Sequence, residues 1–194
     1  MNESGGYSPK DLHFGKDGQS KLISGITKLS EAVKSTLGPM GNTVLIESPN
    51  HTRGITVTKD GVTVAKSIQL LDPVENLAVQ MMKEAADRTA SEAGDGTTTA
   101  IVLTEALVKK GLELIGPKDN KTDILRELVS LSEGVIKKLS SQARPVTDKK
   151  LLDVATISSN NDPEIGKIIA DTYKAVGKNG LVTVEKSQTS DTTY

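Results

Sequence analysis

The chain of 194 residues contains no cysteine and no tryptophan, and only one phenylalanine, three tyrosines and two histidines. The absence of cysteine excludes disulfides, thiolate metal ligands and cysteine nucleophiles. Two isolated histidines, His13 and His51, argue against a zinc site, and we expect both on the surface. Few aromatic rings and a net charge of −1 argue against nucleic-acid binding. No apolar run approaches the roughly 20 residues that a membrane-spanning helix needs, so we expect no membrane contact and a cytoplasmic location.

Aliphatic side chains in helical spacing are abundant instead. With 36% hydrophobic and 25% charged residues, the composition is typical of a globular protein with one ordinary core and a small second unit. From Lys16, apolar residues recur at intervals of three and four, which predicts one buried helix face. These residues are Leu22, Ile26, Leu29, Val33 and Leu37. The same spacing and its breaks predict helices over residues 73–93, 101–115, 122–139, 149–157 and 163–176.

Short β-prone runs accompany the helices. Residues 44–46 and 55–57 predict two strands joined as a hairpin, and residues 181–185 predict a further strand. The helix over 101–115 is apolar on most sides, so we expect it at the centre of the bundle. A break in the apolar rhythm at 140–148 marks a domain boundary.

The stretch Ala93–Ala100, Ala-Gly-Asp-Gly-Thr-Thr-Thr-Ala, carries the clearest chemical signal. Two glycines around Asp95 permit a tight turn, and three threonines then begin an apolar helix. The first backbone N–H groups of a helix lack internal partners and can donate to a phosphate, beside the hydroxyls of Thr97, Thr98 and Thr99. Because a carboxylate repels phosphate, Asp95 would act by holding a hard cation such as Mg²⁺. The alternative is that Asp95 or Thr97 only caps the helix.

Two further segments carry residues suited to the same site. Residues 36–41, Thr-Leu-Gly-Pro-Met-Gly, end the first helix in a loop whose backbone is open to close approach. The segment Thr58-Lys59-Asp60-Gly61 could place Lys59 against phosphate charge and Asp60 beside a water or metal ion. The alternative is that Asp-Gly forms a plain turn that ends a strand.

Four motifs occur in the order and at the spacing of one known family. They are Leu37-Gly38-Pro39, Thr58–Val64, Gly94–Thr99 and Thr156-Ile157-Ser158. The chain resembles the group I chaperonins, of the GroEL type, from about Lys10 to its end. This resemblance implies a mainly α fold, in which an equatorial helix bundle with a small β-hairpin precedes the first segment of an intermediate domain. We expect a flexible arm over 1–13, an equatorial ATP-binding domain over 14–142 and the intermediate segment over 143–194.

The resemblance also implies roles for single residues, with ATP and Mg²⁺ as cofactors and K⁺ as a further candidate. Asp95 would be the magnesium ligand, and Asp60 would be catalytic by positioning the attacking water. Lys59 would lie near the phosphates, and Ile157 would line the nucleoside. The remaining nucleotide contacts would come from Thr36, Leu37, Gly38, Pro39, Gly96, Thr97, Thr98 and Thr99.

The sequence departs from the family pattern in several places. Met40-Gly41-Asn42-Thr43 stands where the family usually has Lys-Gly-Arg-Asn, so two positive charges beside the loop are lost. The arm before Lys10 and the hairpin loop around Asn50 look longer than usual. The chain stops at Tyr194, near the entry to the family's apical domain. We therefore expect a piece of a longer protein, without the apical domain and the C-terminal equatorial half.

The leading functional expectation is an ATP-dependent chaperonin subunit that assists the folding of unfolded proteins. The resemblance implies a homo-oligomeric double ring and a GroES-type co-chaperonin, and we expect this part alone to lack efficient ATP turnover. One alternative is a stand-alone, non-enzymatic assembly module that acts on a longer chaperonin. A third possibility is a small phosphotransferase with an unusual Gly-Asp-Gly loop.

Overall fold

A computed structural model describes residues 10–38, 40–47, 54–177, 180–185 and 188. Within these residues the chain forms seven helices and two strands. In chain order they are α1 (Gly15–Lys34), β1 (Val44–Glu47), β2 (Ile55–Thr58), α2 (Gly61–Ser67), α3 (Pro73–Ala93), α4 (Thr97–Leu114), α5 (Lys121–Gln142), α6 (Asp148–Ser158) and α7 (Pro163–Val176). The chain divides into two compact units, with the division between Asp119 and Asn120. The fold is mainly α with one small hairpin, as the sequence predicts.

The starts of the helices follow from local capping chemistry. Asp60, Asp72, Asn120 and Asp162 each accept hydrogen bonds from two backbone N–H groups of the helix that follows, which satisfies donors that have no partner inside the helix. Proline occupies the first turn of both α3 and α7, where its missing N–H costs nothing. The cap of α5 is Asn120, so this helix begins at Lys121, one residue earlier than the predicted start at 122.

The core of the first unit lies where α1 packs against α3, α4 and the short α2. Leu29, Val33, Val79 and Ile101 are almost completely buried there. The predicted face of α1 is confirmed from Leu22 to Val33, since these residues are buried or packed on the core. Leu37 does not belong to that face, because α1 ends at Lys34 and the Leu37 side chain is 50% exposed.

The predicted hairpin is confirmed. β1 and β2 pair antiparallel with Val44 opposite Thr58 and Glu47 opposite Ile55. Val44 and Ile46 pack on the core, whereas Leu45 between them is 69% exposed, in keeping with the alternation of a strand. The loop around Asn50 and His51 lies outside the described residues.

Two sequence-based expectations about this unit are corrected. Helix α4 is not at the centre of a bundle: among its 18 residues only Thr97, Ile101 and Glu105 are buried. It packs along one stripe against α1, α2 and α3 of the same unit, and most of its other residues are exposed or half-buried. Helix α2 was missed, because Val62 and Val64 alternate as in a strand.

In the second unit, α6 and α7 form a closely packed pair. A β-carbon on Gly166 of α7 would come within 2.8 Å of the Thr156 backbone nitrogen of α6, so only glycine allows this close approach. All residues of α5 are exposed. The predicted strand at 181–185 is wrong: these residues are irregular, because no described strand pairs with them.

The predicted arm over 1–13 falls mostly outside the described residues, and Lys10–Phe14 form neither helix nor strand. His13 is exposed, as expected. Among the described residues, none of the helices combines the length and the hydrophobicity that crossing a bilayer requires. The assignment of 14–142 and 143–194 to two family domains stays a prediction.

Candidate functional site

The turn between α3 and α4 has the geometry that its two glycines suggest. Gly94 ends α3 with a φ of 73°, and Gly96 precedes α4 with a φ of 85°; both angles lie in the left-handed region that favours glycine. Asp95 lies between them, exposed, and its Oδ1 accepts a hydrogen bond from the Gly96 N–H at 2.6 Å. The turn therefore presents a carboxylate directly before the first turn of α4.

The first turn of α4 has no side-chain cap, because its N-cap residue is Gly96. The early backbone N–H groups of such a helix lack intrahelical partners, and the positive end of the helix dipole lies there. Thr97 is buried, Thr98 is half-buried and Thr99 is exposed, so the three hydroxyl residues point to different sides of this turn. An anion with several oxygens is the ligand that such an arrangement can hold. The alternative that Thr97 caps α4 does not hold, since Thr97 is already the first residue of the helix.

The Asp60-Gly61 turn lies directly beside the first turn of α4. A β-carbon on Gly61 would overlap Thr98 Oγ1 and would lie 3.3 Å from Val33 Cγ1 of α1. Three segments therefore meet here: the C-terminal part of α1, the start of α2 and the start of α4. The structure thus brings together two of the sequence motifs that lie more than 30 residues apart.

Asp60 acts as the N-cap of α2. Its carboxylate accepts hydrogen bonds from the Val62 N–H at 3.3 Å, the Thr63 N–H at 2.9 Å and the Thr63 hydroxyl at 2.6 Å. Burial raises the pKa of Asp60, but the hydrogen bonds from Thr63 and Val62 outweigh it, so the pKa lies below its ordinary value. Asp60 is therefore a fixed carboxylate, ionised at neutral pH, and the Asp-Gly turn both ends β2 and begins a helix. Lys59, one residue earlier, is exposed.

The loop after α1 is held by its own backbone. The Leu37 N–H donates to the Lys34 carbonyl at 3.0 Å, and the Gly41 N–H donates to the Gly38 carbonyl at 3.0 Å. The Asn42 N–H donates to the Ser35 carbonyl at 2.7 Å. Gly38 has a φ of 80° and is exposed, as a backbone open to close approach requires. Thr36 is buried, and its hydroxyl donates to the Val33 carbonyl at 2.8 Å, so it secures the end of α1.

Two predicted site residues remain, Pro39 and Ile157. Pro39 is outside the described residues. Ile157 belongs to the second unit, on α6, and its side chain is 69% exposed. Within the part of the chain that the structure describes, no three histidine or acidic side chains gather into a metal cluster. A magnesium ion that is bound by phosphate oxygens and water needs only one or two protein carboxylates. Asp95 alone could therefore supply the protein ligand of such an ion.

Sequence reasoning missed the buried charge behind this site. Glu105 of α4 is only 3% exposed and pairs with Lys34 of α1 and Lys109 of α4. The sequence does contain a signal for the pair within α4. An isolated glutamate lies in the apolar run that follows Ile101, and a lysine follows it four residues later. The partner on α1 is 71 positions away and could not be found from spacing.

Comparisons with known proteins point to one family. A profile described as the TCP-1/cpn60 chaperonin family matches residues 29–193. The chain is 42% identical over 190 residues to a protein named chaperonin GroEL 1 from Rhodopirellula baltica, and the match covers 94% of this chain. That match covers only 32% of the Rhodopirellula protein, so the chain spans about a third of its length.

Solved structures agree with the sequence comparisons. The fold matches the crystal structure of the chaperonin gp146 from bacteriophage EL 2 (Pseudomonas aeruginosa), determined in the presence of ATP-BeFx, with a TM-score of 0.71 and 36% identity. The match covers 83% of this chain and 28% of that one. A group III chaperonin in the open state matches with a TM-score of 0.64 and 26% identity, over 81% of this chain and 32% of that one.

Proposed function

This chain belongs to the TCP-1/cpn60 chaperonin family, and we propose that it is the nucleotide-binding N-terminal part of an ATP-dependent chaperonin subunit. The observation that carries the proposal is the close contact between Gly61 and Thr98, which brings the Asp60 turn beside the uncapped start of α4. The gp146 structure was determined with ATP-BeFx present, and ATP is the ligand that we propose for this site.

The residues at the start of α4 suit the phosphates of ATP. Gly96 leaves the helix without a side-chain cap, so the backbone N–H groups of its first turn are available to phosphate oxygens. The hydroxyls of Thr98 and Thr99 supply further donors at the same turn, and Lys59, two residues before α2, supplies positive charge. Thr97 contributes through its backbone, because its side chain is buried.

Asp95 is the proposed ligand of Mg²⁺, since it is an exposed carboxylate held at the entrance to this helix. A bound Mg²⁺ would supply positive charge that offsets the negative charge of the phosphates. K⁺ is a further candidate cation for the same region. We assign no protein ligand to it.

Asp60 is the proposed catalytic residue. Its carboxylate is ionised, and three hydrogen bonds from Val62 and Thr63 hold it in place, so it can orient a water molecule or accept its proton. The same bonds make Asp60 a helix cap, so its structural and chemical roles coexist. Leu37, Gly38 and Pro39 are proposed to contact the rest of the nucleotide, with Thr36 holding the loop that carries them. Ile157 is proposed as apolar lining for the nucleoside.

The wider activity that we propose follows from family membership. Residues 14–142 would belong to the equatorial domain and residues 143–194 to the intermediate domain of a subunit that assembles into a cytoplasmic double ring. Nucleotide binding would shift the ring between conformations, which requires that ATP bind one of them more tightly. Unfolded proteins would be the clients, and a GroES-type protein would be the co-chaperonin. This part alone would turn over ATP poorly.

A thermal-shift titration with Mg-ADP and Mg-ATP tests the nucleotide site. A ligand at about 100 times its Kd stabilises the folded protein by about 2.7 kcal/mol, which raises Tm measurably. We expect a magnesium-dependent shift in the parent chain and its loss in Asp95→Ala. The matched control is Glu92→Ala, which removes another exposed carboxylate one turn earlier and should keep the shift. Equal shifts in Asp95→Ala and Glu92→Ala would contradict the proposal.

A further inference from the structure

Glu105 is a charged group in the stripe of α4 that faces the core. Thr97, Ile101 and Glu105 follow one another at intervals of four, and they are the buried residues of this helix. The side chain of Glu105 is 4% exposed, and its two oxygens bind different lysines. Lys109 Nζ donates to Oε1 at 2.7 Å, whereas Lys34 Nζ donates to Oε2.

The two lysines have different structural consequences. Lys109 lies on the same helix as Glu105, four residues later, so its bond stays within α4. Lys34 is the last residue of α1, so its bond joins the end of α1 to α4. A folded protein is strongly destabilised when a buried carboxylate loses its partner. The ion pair with Glu105 therefore constrains the position of the end of α1, which carries Lys34.

The Lys34 end of this bond carries the loop after α1. The Lys34 carbonyl accepts from the Leu37 N–H, and the Ser35 carbonyl, next in the chain, accepts from the Asn42 N–H. These two bonds close the loop of residues 36–42 onto the end of α1. The Glu105 end lies about 12 Å along the axis of α4 from Thr97, at eight residues of 1.5 Å each. The ion pair thus links the end of α1, from which the loop leaves, to the helix whose first turn contains Thr97 and Thr98.

We propose that Glu105 is a positioning residue, which through Lys34 fixes the described residues of the loop after α1 (36–38 and 40–42) relative to the first turn of α4. The pKa of Glu105 is consistent with an ionised carboxylate at this position. Burial raises this pKa, but the hydrogen bonds from Lys109 and Lys34 lower it below its ordinary value. This role rests on the proposed nucleotide site, because the loop after α1 and the first turn of α4 are both proposed to contact the nucleotide.

Amide hydrogen exchange of the nucleotide-free chain tests the positioning role directly. In Lys34→Ala, we expect exchange at Leu37, Gly41 and Asn42 to accelerate about tenfold, the loss typical of one charged hydrogen bond. Lys109→Ala is the matched control, because it removes the other lysine from the same carboxylate without touching the link to α1. It should change exchange at these amides less than about twofold. Lys34→Arg should restore the parent rates.

Denaturant unfolding of the same variants separates positioning from general stability. Lys34→Ala and Lys109→Ala each leave the buried Glu105 with one cation, so both should lower the unfolding midpoint. Loop exchange that is faster in Lys34→Ala but not in Lys109→Ala supports the positioning role, because a purely stabilising ion pair would affect both variants alike. Equal loop exchange in the two variants, or no rescue by Lys34→Arg, would overturn it.

Mg-ADP titrations of the same proteins distinguish this inference from the proposed function. We expect about tenfold weaker binding in Lys34→Ala and near-parent binding in Lys109→Ala, as one charged hydrogen bond would give. If Asp95→Ala binds Mg-ADP as the parent does, the proposed nucleotide site fails, while the exchange data still decide whether Glu105 positions the loop. If Asp95→Ala loses binding and Lys34→Ala does not, the positioning role fails alone.

Discussion

Gly61 at the start of α2 packs so closely against Thr98 in the first turn of α4 that a β-carbon would overlap the threonine hydroxyl. Neither residue is near the other in the chain, and each belongs to a different motif. Their contact brings the Asp60 turn beside the first turn of α4, which the Asp95 turn precedes.

Gly61→Ala should destabilise the protein by about 1–3 kcal/mol, as overpacking of a tight contact does. The new methyl group would displace Thr98 or shift α2, and the start of α4 would move with it. Chemical denaturation measures the loss. Adding Thr98→Ala should recover part of the stability, because it removes the overlapping hydroxyl, and a double-mutant cycle gives the coupling. The control is Gly111→Ala, on the same helix as Thr98. A β-carbon on Gly111 would lie 3.9 Å from its nearest neighbour, Ile115 Cδ1, so this change should stabilise the protein by about 0.5–1 kcal/mol. Additive effects of Gly61→Ala and Thr98→Ala would contradict the close contact.

Ser30 and Ser24 on α1 should respond to alanine in opposite directions. Ser30 is fully buried, and its hydroxyl has no hydrogen-bond partner among the described residues, so Ser30→Ala should stabilise by about 1 kcal/mol. Ser24 donates to Glu75 of α3 at 2.7 Å, so Ser24→Ala should destabilise by about 1 kcal/mol. Thermal unfolding of the two variants decides. The same sign for both would refute the assignment of Ser30 as an unsatisfied group.

Asp72 should contribute to the acid sensitivity of the protein. A hydrogen bond from Lys21, with further bonds from the Glu75 and Val74 N–H groups, lowers the pKa of Asp72 from 3.8 to about 2. Between these values the unfolded chain binds more protons than the folded one, so stability falls as the pH falls. The contribution is complete above about pH 4 and is lost as the pH falls through about 2.

Urea unfolding at several pH values between 5 and 2 measures this slope. Asp72→Asn should have a shallower acid slope than the parent, because it has no proton to bind at this position. Lys21→Ala should also flatten the slope, since it removes the largest cause of the lowered pKa. A parent slope that neither variant changes would show that Asp72 is not responsible.

Asp60→Asn should separate the catalytic role that we propose for Asp60 from its role as the N-cap of α2. Asparagine caps a helix about as well as aspartate does, so Asp60→Asn should keep most of the stability, whereas Asp60→Ala should lose about 1 kcal/mol. Because asparagine cannot accept a proton as a carboxylate does, Asp60→Asn should slow ATP hydrolysis in an assembled ring that carries it. Unchanged hydrolysis in Asp60→Asn would leave Asp60 as a cap only.

The parts of the fold that could be predicted from the sequence are those set by local chemistry. Spacing of apolar residues predicts the buried face of α1 correctly from Leu22 to Val33, and Asp72-Pro73 is a local start signal for α3. The Gly-Asp-Gly turn is equally local, since only glycine adopts positive φ freely at Gly94 and Gly96.

What could not be predicted depends on tertiary packing. Helix α2 is short and rich in valine, and its contacts with α1, α3 and α4 decide its conformation against the strand-like pattern. The bond between Lys34 and Glu105 joins residues far apart in the chain. Residues 181–185 have the composition of a strand, but a strand forms only with a partner to bind. The site was therefore predictable as separate motifs, and only the contact of Gly61 with Thr98 shows which of them meet.

The most direct test of the central claim is to locate the bound metal nucleotide. Mn²⁺ can replace Mg²⁺ with ADP, and its paramagnetism broadens the NMR signals of nearby backbone amides. If the metal nucleotide binds at the Asp60 and Asp95 turns, Mn-ADP should broaden the amides of Gly96, Thr98 and Gly61 most strongly in the unsubstituted chain, and Asp95→Ala should abolish this selective broadening. Strongest broadening at residues remote from these turns, or an unchanged pattern in Asp95→Ala, would contradict it.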